Sequence, residues 1–226
     1  MKKLFRYFTP AEKALWLSSV LLILASARLF PGGGPLTLIA SLTGVTSLLF
    51  NAKANPVGPL LMVVFSILYG IISFSARYYG EMFTYLGMTG PMSVLALISW
   101  VKNPYQGQRT QVHIARLSKR AAVLILLLTL LVTGLFYYIL KACGTANLPL
   151  STISVATSFL AVALTYLRSP LFALAYAAND GVLIALWLLA GDSGSWAVAG
   201  CFLVFLLNDS YTYYNWRRIQ RRQEKA

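Results

Sequence analysis

Two stretches decide how this chain is read: "VTSLLFNAKANPVG" (Val45–Gly58) and "ATSFLAVALTYLRSPL" (Ala156–Leu171). Each runs from an apolar segment with a Thr-Ser pair, Thr46-Ser47 or Thr157-Ser158, through a short basic link to a proline, Pro56 or Pro170. The Thr-Ser pairs lie 111 residues apart and the prolines 114, while "SWVKN" at Ser99 matches "NWRRI" at Asn215, pairing Trp100 with Trp216 at an offset of 116. An offset that drifts by loop-sized amounts is the mark of an internal repeat.

Outward from these stretches the chain is almost continuously apolar. With 226 residues, 58% hydrophobic and 11% charged, and a mean hydropathy of +0.68, it is too apolar for a water-soluble domain. A spanning helix takes roughly 20 apolar residues because its backbone groups must be satisfied internally. Eight segments qualify: Ala14 to Phe30, Pro35 to Phe50, Val57 to Ala76, Met82 to Val101, Ala121 to Leu140, Pro149 to Leu167, Leu171 to Ala190 and Ser195 to Tyr214. Short links such as "NAKANP", "RYYGE" and "RSP" make neighbours antiparallel.

The expected fold class is therefore an all-α polytopic membrane protein of about eight transmembrane helices, one N-terminal helix followed by a 3+1+3 parallel-repeat core. Residues 1–34 hold the N-terminus and extra helix, 35–101 the first three-helix repeat, 102–148 a basic linker and linker helix, 149–216 the second repeat and 217–226 a basic tail. Three helices plus one linker restore the starting orientation, so the copies are parallel, as in small transporters that bind substrate between repeats.

The formal charge of +13 raises the possibility of nucleic acid, and its distribution argues against it. Sixteen of the nineteen Lys and Arg fall on one side of the eight segments, from Lys2, Lys3 and Arg6 through Lys53, Lys102 and Arg168 to the tail beginning at Arg217. Only Arg28, Arg77 and Lys141 fall on the other, a bias that puts both termini in the cytoplasm. The first segment lacks a persuasive cleavage site and is expected to persist in the mature protein.

Enzymatic signatures are weak. "GDSG" (Gly191–Gly194) resembles the nucleophile loop of trypsin-like serine proteases, but the single histidine, His113, falls on the opposite side of the membrane from Ser193. "PGGGP" lacks the Lys-Ser/Thr of a phosphate loop, and Cys143 and Cys201 form neither a metal-ligand pattern nor a disulfide framework.

Polar residues within apolar segments carry the functional reading. In "LFALAYAANDGVLIALWLLA", Tyr176, Asp180, Leu183 and Trp187 recur at spacings of three or four, with Asn179 alongside, giving an aromatic and acidic stripe. An intramembrane carboxylate costs at least a few kcal/mol unless it lines water, pairs with a base or carries a proton. In "LLNDSYTYYNWRRI", Asn208, Tyr211, Thr212 and Asn215 share a face, and Asp209 on the next stripe could be neutralised by Arg217 or Arg218. Ser93 and Trp100 share a face of a segment kinked at Pro91, where Gly87 and Gly90 permit close approach. For Asn179, Asp180 and the hydroxyls at Thr46, Ser47, Thr157 and Ser158, hydrogen bonds that hold helices together are the competing role. Tyr213, Tyr214 and Trp216 are also placed as an interfacial aromatic belt.

"YYGEM" followed by "GPMSVLALISWVKN", and "AANDGVLIALW" followed by "LLNDSYTYYNWRRI", resemble the PnuC family of bacterial vitamin transporters from about Thr43 to Ile219. The resemblance implies a three, one and three helix fold, often with an extra N-terminal helix, and a pore in each subunit of a homotrimer. It implies facilitated diffusion of nicotinamide riboside, or in relatives thiamine, riboflavin or deoxynucleosides, with a cytoplasmic kinase trapping the product. The family's motif positions fall on Asn179, Trp187, Asn208, Tyr211, Asn215 and Trp216, with Gly80 and Glu81 near the outer end of the fourth helix. Ser93 stands where the family usually has glutamine, Phe65-Ser66 where it has an asparagine, and Asp180 where an apolar residue is usual. Losing amide donors and acceptors changes which ligand leaves no buried polar group unpaired.

The sequence is thus read as a multi-pass protein of the bacterial inner membrane, surrounded by lipid, that passes a ring-containing vitamin by alternating access. Trp187, Trp100 and Tyr211 are expected to stack on the ring, and Asn179, Asp180, Asn208 and Asn215 to bond its polar edges, with Tyr176 and Ser93 completing the site. No cofactor, metal or nucleic acid is called for. A membrane-embedded enzyme and a non-transporting scaffold subunit are the rival classes.

Overall fold

The computed structural model describes residues 7–30 and 34–226. Lys2, Lys3 and Arg6 lie outside the described residues, as do Pro31 to Gly33 of the first link and the side chain of Ser193. The helices are α1 (Pro10–Leu29), α2 (Gly34–Ala52), α3 (Val57–Ser75), α4 (Tyr79–Lys102), α5 (Lys119–Ala142), α6 (Leu148–Tyr166), α7 (Leu171–Ala190) and α8 (Ser193–Gln223). The first seven are long and apolar enough to cross a membrane. In α8, 31 residues long, Asn208, Asp209, Asn215 and the arginines dilute the apolar character, and the helix continues past the expected Tyr214 to Gln223.

Local chemistry fixes the helix starts. Thr9 and Glu12 form a reciprocal capping box before α1, Ser118 accepts from Ala121 N–H at α5, and Asp192 accepts from Ser195 N–H at α8. α4 is not simply kinked at Pro91. A π-helical turn spans Thr84–Thr89, and Gly90 N–H reaches back to the Tyr85 carbonyl, absorbing the break that a proline lacking its own N–H would cause.

The two stretches that open the sequence analysis adopt matching turns. Ala54 and Arg168 both take left-handed backbone, at φ 54° and 57°, and Asn55 N–H and Ser169 N–H each bond back to a carbonyl five residues earlier, Phe50 and Leu164. Asn55 and Ser169 side chains then accept the N–H of Val57 and Leu171 as α3 and α7 begin.

The linker after α4 holds a feature the sequence reading did not anticipate. β1 (Pro104–Tyr105) and β2 (Gln108–Val112) form an antiparallel hairpin whose two turn residues, Gln106 and Gly107, both have positive φ, the geometry of a type I′ turn. Val112 N–H donates to Ala54 O at 2.8 Å and Ala115 N–H to Arg168 O at 3.0 Å, so this segment straps together the two matching turns. Gln223, at the end of α8, accepts from Ile114 N–H and donates to Val112 O. These contacts gather Lys53, Lys102, Arg109, Arg168 and the end of α8 at one end of the bundle, the basic end.

α7 packs along α8, α2 along α3 and α8, and α4 along α3 and α6. α5 packs mainly on α6 and leaves a broad apolar face outward, including Leu127, Leu130, Leu131 and Leu135. α1 lies against α2 and α8.

Candidate functional site

The buried apolar residues form two clusters, and α7 and α8 contribute to both, with polar residues on the turns between their two contributions. Along α7, Phe172, Ala173, Ala175 and Tyr176, toward the basic end, belong to one cluster, whereas Leu183, Leu186 and Trp187, toward the opposite end, belong to the other. Along α8, Trp216 and Ile219 belong to the first, and Val198 to Phe205 to the second. Asn179 and Asp180 on α7, and Asn208, Asp209 and Thr212 on α8, occupy the intervening turns and are all buried.

Asn179 Oδ1 accepts hydrogen bonds from Thr157 Oγ1 at 2.8 Å and Ser158 Oγ at 3.0 Å, with Ser154 Oγ at 3.5 Å. The α6 hydroxyls read as helix-packing groups thus pack on the very asparagine expected to bind substrate. Asp180 and Asp209 face each other across α7 and α8 within hydrogen-bonding reach of one another, and Asp180 Oδ2 and Asp209 Oδ1 have no hydrogen-bond partner among the described residues. The expected neutralisation of Asp209 by Arg217 or Arg218 does not occur. Asp209 points into the bundle, two turns from the arginines, and Arg217 donates to Gln220.

Trp187 donates its indole N–H to Tyr69 Oη at 2.6 Å and packs edge-on against Tyr78, ring centroids 5.0 Å apart. It forms the floor of a cavity of about 400 Å³ at the end opposite the basic one, which Asp192 and Ser195 also line. Tyr176 and Ser93 meet at the other side of the polar layer, beside Asn51 and Thr165, around a void of about 10 Å³, room for one water at most. Between the two, Phe65, Tyr69, Tyr85, Phe202 and Phe205 interlock, with Tyr69 and Tyr85 centroids 4.3 Å apart. The conformation is closed at its centre.

The remaining expected residues lie elsewhere. Asn208 donates to Ser19 Oγ at 2.9 Å and Tyr211 to Glu12 Oε1 at 3.4 Å, so both face α1. Glu12 is itself buried and pairs with Lys53 at 3.3 Å. Trp100 and Asn215 sit at the basic end as pins between helices. Ser99 Oγ and Trp100 Nε1 donate to the carbonyls of Tyr166 and Thr165, and Asn215 Nδ2 and Trp216 Nε1 to those of Ala52 and Asn51. The two pairs exchange equivalent bonds across the bundle, and the Trp100 and Trp216 rings touch at 5.3 Å.

Three buried groups near the site escaped the sequence reading. Tyr69 and Tyr85 carry the aromatic closure, and only the Phe65/Tyr69 spacing of four on α3 hinted at a buried face. Glu81, a position the family resemblance singles out without making it an expected site residue, is fully buried, and among the described residues neither of its oxygens has a hydrogen-bond partner. At the bundle ends, burial holds the Tyr78 hydroxyl above its ordinary pKa, and hydrogen bonds from Ser195 hold Asp192 below the usual carboxylate range.

A nicotinamide riboside transporter PnuC from Neisseria mucosa is 26% identical over 98% of this chain and 86% of its own length, and one from Haemophilus influenzae is 23% identical over 83% and 81%. A crystal structure of the vitamin B3 transporter PnuC superposes with a TM-score of 0.79, covering 96% of this chain and 94% of that one at 23% identity. The nicotinamide mononucleotide transporter family model matches residues 34–218. A polytopic bundle with a polar layer at its centre, matched over four-fifths of its length, belongs to the PnuC family of membrane transporters and is not an enzyme.

Proposed function

We propose that the chain carries nicotinamide riboside across the bacterial inner membrane by facilitated diffusion. The observation that carries this reading is the buried polar group where Tyr176, Asn179, Asp180 and Asp209 converge between α7 and α8. The matching family is described as nicotinamide mononucleotide transporters, whereas the two relatives are nicotinamide riboside transporters. Phosphate would face two buried carboxyl groups here, whereas the riboside has no phosphate and carries a pyridinium charge of the opposite sign. Aromatic rings nearby suit a flat cation. Thiamine, also a cationic ring, is the second candidate, favoured by Ser93 and Asp180 standing where the family usually has other residues.

Alternating access would proceed by motion of α2–α4 against α6–α8, opening the closed centre first toward the cavity floored by Trp187 and then toward the basic end. The matching turns at Ala54 and Arg168 and the exchanged tryptophan bonds support two parallel repeats. The basic end would face the cytoplasm, each subunit of a homotrimer would hold its own pathway, and a cytoplasmic kinase would trap the product.

A thermal-shift screen of purified protein against nicotinamide riboside, nicotinamide mononucleotide, thiamine, riboflavin and deoxynucleosides tests this. The riboside is expected to raise the melting temperature by mass action and to enter proteoliposomes without an imposed ion gradient. No shift and no uptake with any of these ligands refutes the transport reading; a response to thiamine alone reassigns the substrate.

A further inference from the structure

We propose that Asp180 and Asp209 act as one acid, sharing a single proton and presenting one negative charge as the counter-ion of a cationic substrate ring. The inference rests on the reading that the substrate is a cationic nucleoside. The two carboxyl groups come from α7 and α8, whose packing along each other holds both in the polar layer, 3% and 1% exposed. They lie within hydrogen-bonding reach of each other, and a hydrogen bond between two carboxyl groups requires a proton on one of them. Among the described residues, Asp180 Oδ2 and Asp209 Oδ1 are left without a hydrogen-bond partner. The titratable side chains facing the pair are Tyr85 of α4, Tyr176 of α7 and Cys201 of α8, none of them a cation.

With two like charges side by side in a low dielectric, double ionisation is strongly disfavoured, and the singly charged pair is the form a monovalent cation neutralises. Both unpartnered oxygens are then free to accept from ring or ribose donors once the aromatic closure opens. Binding needs no proton to enter or leave the pair, so the pair sets selectivity for cations without coupling transport to a proton gradient.

Asparagine is a near-isosteric stand-in for a protonated aspartic acid, so each single substitution should leave the other residue as the one carboxylate. Binding of nicotinamide riboside is compared with that of its reduced dihydro form, which is uncharged and of similar shape. Asp180→Asn and Asp209→Asn are each expected to keep the preference for the cation, while the double variant loses it by roughly tenfold or more through weaker binding of the cation alone. A double variant that keeps the preference, or one single variant that abolishes it while the other is neutral, overturns the proposal. Wild-type protein that binds neither form instead refutes the substrate assignment, and the proposal with it. Infrared difference spectra of unliganded protein, wild type minus each single variant, give a readout that does not need the double variant and cancels the buried Glu81: a protonated-carboxyl band should appear in both differences. Its absence from either overturns the shared proton.

Discussion

At Gly44 one hydrogen atom stands in for a side chain where α2 meets α8. A Cβ built there would collide with the Phe205 ring, and Phe205 is itself wedged against Phe65 and Phe202. Gly44→Ala is therefore expected to lower stability by about 1–3 kcal/mol through overpacking, read as a lower melting temperature in detergent. Asp192 poses the opposite case, a residue whose charge is useful. Its carboxylate accepts from Ser195 N–H at 2.8 Å and from Ser195 Oγ at 2.7 Å, and these bonds hold its pKa below the usual carboxylate range. A depressed carboxylate contributes stability above its unfolded pKa and loses it as pH falls through the folded one. Hydrogen exchange at the first turn of α8 should thus accelerate only below about pH 4. Asp192→Asn should remove that acid dependence while keeping the cap, and Asp192→Ala should cost about 1 kcal/mol at neutral pH.

The elements themselves were the most legible feature of the sequence, because a span of apolar residues bounded by Gly, Pro and charge has few other solutions in lipid. All eight expected segments became helices, with ends shifted by a few residues except in α8. The π-helical turn in α4 and the hairpin strap could not be read, since both depend on which carbonyl a given N–H selects. The same limit explains Trp100 and Asn215. Their residue types suggest ligand binding, yet their partners are carbonyls 65 and 163 residues distant in sequence, visible only once the helices are assembled. The repeat argument did pair Trp100 with Trp216, and that pairing yields a prediction at this scale. Trp100→Phe and Trp216→Phe each remove one of the two hydrogen bonds to a buried carbonyl, Thr165 or Asn51, which keeps the turn N–H of Arg168 or Ala54, and each should cost about 0.5–1.5 kcal/mol. Melting temperatures should fall by similar amounts for the two variants. A loss confined to one would contradict the equivalence of the two three-helix units.

For the molecule as a whole, the distribution of charge and the position of the ends combine into a statement about orientation. Hydrogen bonds join Tyr7 to Thr110, Asn55 to Tyr7 and Arg116 to Glu224, so both ends of the described chain meet the hairpin and the first of the matching turns at the basic end. At the opposite end, Cys143 is partly exposed beyond α5, whereas Cys201 is buried. Lys and Arg concentrate on the cytoplasmic side of membrane proteins because positively charged loops are retained there during insertion. Cys143 should therefore react with a membrane-impermeant maleimide added to intact cells. In a variant carrying Cys143→Ser and Arg109→Cys, the new thiol at the hairpin should react only after the membrane is permeabilised. Buried Cys201 provides the internal control, unreactive in both conditions until the protein is denatured. Labelling of the hairpin position in intact cells, with Cys143 protected, would invert the molecule and place the cavity floored by Trp187 on the cytoplasmic side, reversing the order in which the two ends must open to import a substrate.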